Sequence, residues 1–250
     1  MIDRKEYMKT TYANYWSNAR NDLYGFMDYD RALINLISSQ IPSQSNRKNT
    51  LLEVAIGTGE PIAKNLVTLG YDLTGIDISS LLIDQCKQNN PSIRCQVGDA
   101  EQLTFQDSTF DLTYCVHSSW FIPNFGHAIT EMIRVTNFGG GVVIFDIQNI
   151  YNQEIDENYR RYIFENTIMI GRVIKIIKNS AKFLLKKGTQ DWPFFVSQTP
   201  SDPIAIYEIL FGMNLAEINL FAWVDNEMLP LGDKVDHYKV YPRLVFLLKK

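Results

Sequence analysis

From residue 51 onward, short apolar runs alternate with amphipathic stretches, and this alternation constrains the fold more than any other feature of the chain. The apolar runs predict strands over 51–56, 72–76, 93–97, 110–116 and 141–147, and helical spacing predicts helices over 60–69, 80–89 and 125–136. Strands separated by helices must cross over, which gives a parallel sheet with helices on both faces. Later, a helix over 203–213 ends at Gly212, and strands follow over 215–224 and 240–248. The linker between these two, with Pro230, Gly232 and Asp233, is too short for a helical crossover, so the pair is expected to be antiparallel. The expected architecture is α/β: a doubly wound, mostly parallel seven-stranded sheet with an antiparallel last strand.

Composition narrows the class. At 250 residues, 46 % apolar and 21 % charged, the chain can bury an ample core. A net charge of −4 gives no global attraction to nucleic acid, so no nucleic-acid partner is expected. Cys86, Cys95 and Cys115 are odd in number and lack metal-ligand spacing, which suits a reducing compartment, and no metal site is expected. The start of the chain is polar from its second residue, unlike a secretory signal, and no apolar run approaches the ~18 residues of a membrane span. A soluble cytoplasmic protein is the expectation.

In an open α/β sheet, ligands sit outside the carboxyl ends of the strands. The first strand, with Glu53, runs through Ala55 into Gly57 and Gly59, where the absence of a Cβ lets backbone approach a ligand closely. The second ends at Asp77, whose carboxylate can accept from both hydroxyls of a ribose, or can cap the next helix. The third leads into Gly98-Asp99-Ala100, placing a second acid where it can accept from an exocyclic amine, or cap a turn. The fourth ends in Val116-His117-Ser118-Ser-Trp120-Phe, a polar and aromatic set on the same edge. A dinucleotide fingerprint wants a third glycine where this chain has Ile62, and it places phosphate at a helix amino terminus, where Glu53 would be poor company. An acid there suits a cationic or zwitterionic group.

Over roughly residues 48 to 150 the chain resembles the class I S-adenosylmethionine-dependent methyltransferases. Glu53-Val-Ala-Ile-Gly57-Thr-Gly59 is similar to that family's first motif, with Ala55 where its first glycine usually stands. Asp77 matches the ribose-binding acid, Gly98-Asp99-Ala100 the adenine-contacting motif, and Phe110-Asp111-Leu, Glu131-Met-Ile-Arg134-Val and Gly139-Gly-Gly the later pattern. The resemblance implies S-adenosylmethionine as cofactor and S-adenosylhomocysteine as product. It implies contacts from Glu53, Ala55, Gly57, Gly59, Asp77, Ile78, Asp99, Ala100 and Val116. Ile78 and Ala100 flank the adenine in this reading, or belong to the core. Asp111, at the start of its strand, is read as structural.

It also implies that an N-terminal lid folds over the cofactor. Tyr15 then contacts the cofactor and Tyr12 and Trp16 the substrate, or the aromatic segment simply packs as helix. Residues 1–149 are thus read as lid plus cofactor-binding part, 150–200 as a helical cap insertion, and 201–250 as completing the same sheet. The acceptor, a small molecule, would enter between Ser118, Trp120 and the cap around Trp192. His117 is either a general base or a pocket-lining residue. The stretch 170–187 carries an apolar stripe and six basic residues without an acid, and reads either as a cap helix or as weak contact with an anionic membrane surface. The expected function is methylation of an oxygen or nitrogen nucleophile of a sugar or secondary metabolite. Carbon methylation of a lipid-like or quinone substrate and non-catalytic cofactor binding are the alternatives.

Overall fold

A computed structural model describes residues 4–14, 27–41, 48–149, 201–232, 241 and 243–250. The expected cap at 150–200, the basic stretch within it, and Tyr15, Trp16 and Trp192 lie outside the described residues. Helix α1 (Arg4–Tyr7) continues into a π-helical turn (Met8–Tyr12), and α2 spans Asp28–Gln40. Then come β1 (Thr50–Val54), α3 (Ile62–Thr68), β2 (Asp72–Asp77), α4 (Ser80–Asn89), β3 (Arg94–Val97) and β4 (Leu112–Cys115). A 3-10 turn (Ser119–Phe121) leads to α5 (Phe125–Val135) and β5 (Val142–Gln148). The chain resumes with α6 (Pro203–Phe211), β6 (Glu217–Val224), β7 (Glu227–Pro230) and β8 (Arg243–Lys249).

The strands form one sheet in the order β3-β2-β1-β4-β5-β8-β6-β7. β1 to β5 pair in parallel, and β8 lies antiparallel between β5 and β6, with Phe145 opposite Phe246. The order reverses at β1 and β4, which is where a doubly wound sheet opens a crevice for a ligand. Alternate residues of the strands face opposite cores. Leu51, Tyr114 and Ile144 pack under the stripe Tyr29, Leu33, Ile34 and Ile37 of α2 and under α3 and α4, while Leu52, Cys115 and Phe145 pack under α5 and α6. Every residue of β5 is buried, as expected of a central strand covered on both faces.

The sheet has eight strands among the described residues, one more than expected. The additional strand, β7, pairs antiparallel with β6 across Asp225 and Asn226, both in the left-handed region at φ 48° and 65°. Two such residues make the tight hairpin turn whose twist matches the flanking strands. Its sequence, Glu-Met-Leu-Pro, reads as loop because it is short and ends in proline. The helix expected over 60–69 is shorter, Ile62–Thr68, with Pro61 at its N-cap. No helix among the described residues is long and apolar enough to cross a membrane.

Candidate functional site

The carboxyl ends of β1 and β2 and the segments after β3 and β4 line a cleft of about 1010 Å³, solvent at its mouth included. Beyond Val54 the backbone turns through Ala55 at φ 62°, Gly57 at 59° and Gly59 at 77°. A left-handed alanine costs ~1–2 kcal/mol relative to the right-handed region, so the turn is held by its neighbours. Ile56 N–H donates to the Ile76 carbonyl at 2.8 Å, and Gly59 N–H to the Ile56 carbonyl at 3.0 Å. Gly75 on β2 provides the room, since a Cβ there would overlap the Ile56 side chain.

Asp77 holds the same turn from the other side. Its Oδ2 accepts from Gly57 N–H at 3.0 Å and its Oδ1 from Ser79 N–H at 2.9 Å. Burial of the carboxylate pushes its pKa up to about 6, against the lowering effect of those backbone donors. Glu53, buried at the end of β1, accepts from the Tyr114 hydroxyl at 2.9 Å. Burial and the Glu53 charge push the Tyr114 hydroxyl well above its ordinary value, so it remains a donor.

Asp99 lies nearer solvent. Its Oδ2 accepts from Lys5 Nζ at 2.7 Å and its Oδ1 from Glu101 N–H at 3.0 Å. Burial raises its pKa, but the Lys5 and Glu101 hydrogen bonds outweigh that and hold it below its usual value. Lys5 also reaches Glu101 at 3.1 Å, Arg4 donates to the Trp120 carbonyl at 2.6 Å, and Tyr12 packs on Phe121 with centroids 4.6 Å apart. The N-terminal helix is therefore pinned over the cleft by residues from two of its walls. The wall carrying Asp99 is anchored from α5. Glu131 accepts from Leu103 N–H at 2.8 Å, and Arg134 donates to the Leu103 and Phe105 carbonyls at 2.9 and 2.8 Å.

At the β4 end, His117 sits at φ 60°. Its N–H donates to Asp146 Oδ1 at 2.8 Å, and Asp146 Oδ2 accepts from the Tyr29 hydroxyl at 2.9 Å. The imidazole Nε2 lies 2.8 Å from Asp30 Oδ1. Burial lowers the His117 pKa, with the Asp30 hydrogen bond opposing. Arg243 lies 4.0 Å from Asp146 and over the rings of Tyr29 and Trp120 at 4.5 and 5.2 Å.

The donor set of the cleft favours a cationic ligand over a phosphate. Among the described residues, Glu53, Glu60, Asp77, Asp99 and Glu101 line it against the single lysine Lys5, and Lys5 is already bound to two of them. Thr58 Oγ1 is buried in the lining without a hydrogen-bond partner among the described residues, as a group awaiting a ligand would be. Residues 52–144 match the family described as "Methyltransferase domain". Those residues form a methyltransferase domain. Among curated relatives of this chain is the malonyl-[acyl-carrier protein] O-methyltransferase of Buchnera aphidicola subsp. Baizongia pistaciae. It is 30 % identical over 160 residues, covering 64 % of this chain and 62 % of the relative. Another is the sterol 4-C-methyltransferase strm-1 of Caenorhabditis elegans, 31 % identical over 117 residues, 44 % of this chain and 35 % of the relative. The chain thus spans between about a third and three-fifths of the length of these relatives. A solved TehB-like SAM-dependent methyltransferase from Corynebacterium glutamicum shares the fold, with a TM-score of 0.59 at 18 % identity over 97 % of this chain and 98 % of that one.

Of the positions the sequence singled out, the methyltransferase domain brings Glu53, Ala55, Gly57, Asp77, Ile78, Asp99, Ala100, Val116, His117 and Ser118 to the cleft wall, and Tyr12 joins them from the N-terminal turn. Two do not line it. Gly59 backs onto α4, where a Cβ would come within 2.8 Å of Cys86 Sγ and 3.2 Å of Asn90 Nδ2, so its missing side chain makes room for a helix. Trp120 is 2 % exposed and turned into the core beneath Arg243. Asp111 is structural, accepting from Thr50 N–H at 2.8 Å and Asn137 Nδ2 at 2.9 Å. The sequence reading missed Lys5, Asp30, Tyr29 and Tyr114. Only Asp30 left a signal, an acid among the apolar positions of a helix that buries it to 1 % exposure.

Proposed function

We propose that the protein transfers a methyl group from S-adenosylmethionine to an oxygen or nitrogen nucleophile of a small molecule. The observation that carries the cofactor is the acid-lined cleft at the switch point of the sheet, with Asp77 and Asp99 on neighbouring strand ends. In this reading Asp77 accepts from the ribose hydroxyls, Asp99 from the adenine amine, and Glu53 with the Ala55–Gly57 backbone faces the amino-acid end. The cofactor, when bound, supplies an electrophilic methyl on a sulfonium. The chain's own residues then have to orient the acceptor in line and keep water out. Val116, His117 and Ser118 sit where that acceptor would be held, and the O-methyltransferase relative supports an oxygen nucleophile.

Carbon methylation of a lipid-like acceptor is the second reading, favoured by the sterol 4-C-methyltransferase relative. Calorimetry with S-adenosylmethionine, S-adenosylhomocysteine and NAD tests the cofactor, and preferred NAD binding sinks the proposal. Transfer of labelled methyl to a panel of a sugar, a malonyl thioester, a hydroxylated quinol and a sterol then separates the readings. Label on the sterol or on quinol carbon selects the second, and cofactor binding without transfer to any of the panel points to a non-catalytic binder.

A further inference from the structure

The His117 side chain is held by more structure than a pocket wall requires. Its backbone is in the left-handed region, unusual for a residue with a Cβ, and such strain persists only where the surroundings over-determine it. Asp146 of β5, itself fully buried, accepts from the backbone N–H, and Tyr29 of α2 donates its hydroxyl to the other Asp146 oxygen. With the backbone fixed, the ring meets Asp30, the next residue of α2, at 2.8 Å, and lies in an edge-to-face arrangement with the Tyr29 ring at 5.3 Å between centroids. Two elements far apart in sequence, α2 at the ring and β5 at the backbone, therefore hold this one residue.

The chemistry of the pair is asymmetric. A carboxylate accepts and does not donate, so the Nε2 of His117 is the protonated nitrogen when it faces Asp30. Asp30 also accepts from Met27 N–H at 2.9 Å, which fixes the carboxylate from the start of its own helix. Nδ1 has no hydrogen-bond partner among the described residues, and the side chain keeps 15 % exposure while Asp30 keeps 1 %. The exposed part of the ring belongs to a residue that lines the cleft.

We propose that Asp30 is a positioning residue that locks His117 in the Nε2–H form, so that Nδ1 presents its lone pair to the methyl acceptor as a general base. The proposal rests on the methyltransferase reading of the cleft, and it narrows the acceptor to one carrying an acidic enough O–H or N–H. The acceptor proton passes to Nδ1, the freed lone pair of the acceptor forms the bond to the methyl carbon, and the electron pair of the carbon–sulfur bond stays with sulfur. The imidazolium so formed is stabilised by Asp30 and returns its proton to solvent. Besides Asp30, the groups facing the ring or its backbone are Tyr29 from α2, Asp146 from β5 and, through Asp146, Arg243 from β8.

Nitrogen-15 NMR of histidine-labelled full-length protein reads the tautomer without any acceptor, and His127→Gln and His237→Gln variants assign the His117 signals. The wild type is expected to carry its proton on Nε2. In Asp30→Asn the amide can donate to Nε2, so the two ring nitrogen signals should exchange places, while calorimetry should find S-adenosylmethionine affinity within about twofold of wild type. Asp30→Glu should restore the original tautomer. With any acceptor that the transfer panel returns, kcat should lose at least tenfold in Asp30→Asn with KM little changed, and its acid limb should vanish in His117→Gln. A wild-type proton on Nδ1, or a tautomer unmoved by Asp30→Asn, overturns the proposal whatever the activity. Wild-type protein that fails to bind S-adenosylmethionine overturns the methyltransferase reading and with it the base role, and the NMR result separates that failure from an error in the geometry.

Discussion

Asp77 and Asp99 stand at or just past the ends of neighbouring strands, yet the two regions treat their carboxylates in opposite ways. On the β2 side the acid is buried, its oxygens held by the N–H groups of Gly57 and Ser79, and its pKa is raised to about 6. On the β3 side the acid is partly exposed and paired with Lys5, which outweighs its burial and lowers its pKa. The first is held by backbone that cannot leave without unfolding the turn. The second is held by a side chain from the N-terminal helix, a partner that can be removed while the sheet stays intact. One wall of the cleft is thus a fixed template, and the other is completed by a separate piece of chain.

The contrast is broken most directly at its rigid member. Asp77→Ala should cut S-adenosylmethionine affinity roughly ten- to hundredfold, as loss of a hydrogen bond to a charged group costs ~1.5–3 kcal/mol. Calorimetry that returns wild-type affinity would move the ligand off the β2 end. Titration sharpens the same point. Asp77 accepts fully only when ionised, so affinity should fall as pH drops below about 6, approaching tenfold per unit, and the effect should be absent in Asp77→Asn. Asp99, held low by Lys5, stays charged through that window and contributes nothing to the slope. A slope that survives Asp77→Asn assigns the titration to another group.

Smaller effects are expected on the β3 side. Asp99→Ala should weaken binding about fivefold, since a half-exposed acid competes with water for the same donor. If it matches Asp77→Ala, the two walls are energetically alike. Lys5→Met should have the smallest effect, a rise of about two- to threefold in the cofactor dissociation rate by stopped-flow fluorescence. A partly exposed ion pair is worth only ~0–1 kcal/mol, and the difference should fade with added salt.

Legibility in the sequence divides along similar lines. Features that are local in the chain could be read directly: the strand-to-glycine corner, the acids at strand ends, and the apolar alternation that sorts residues onto two faces of the sheet. Asp77 could be assigned a place because eighteen residues separate it from Gly59, the length of a helical crossover. Lys5 to Asp99 and His117 to Asp30 span 94 and 87 residues, and no periodicity links them. Gly59 shows the opposite error, a motif glycine whose small size makes room for Cys86 of α4 and for Asn90, which caps that helix. Ala55 occupies a left-handed position that sequence reading assigns to glycine, and the hydrogen bonds flanking the turn explain how it is tolerated. β7 was illegible because a four-residue strand ending in proline carries almost no strand signal of its own.

That same strand has a consequence for how the molecule meets its copies. A sheet stops growing by one strand at a time only where its last row of N–H and C=O groups makes a poor template. β7 is four residues long, begins with a charged side chain and ends at Pro230, which has no N–H to offer. The late hairpin therefore finishes the sheet at the edge opposite β3 and also makes that edge a poor template for a further strand.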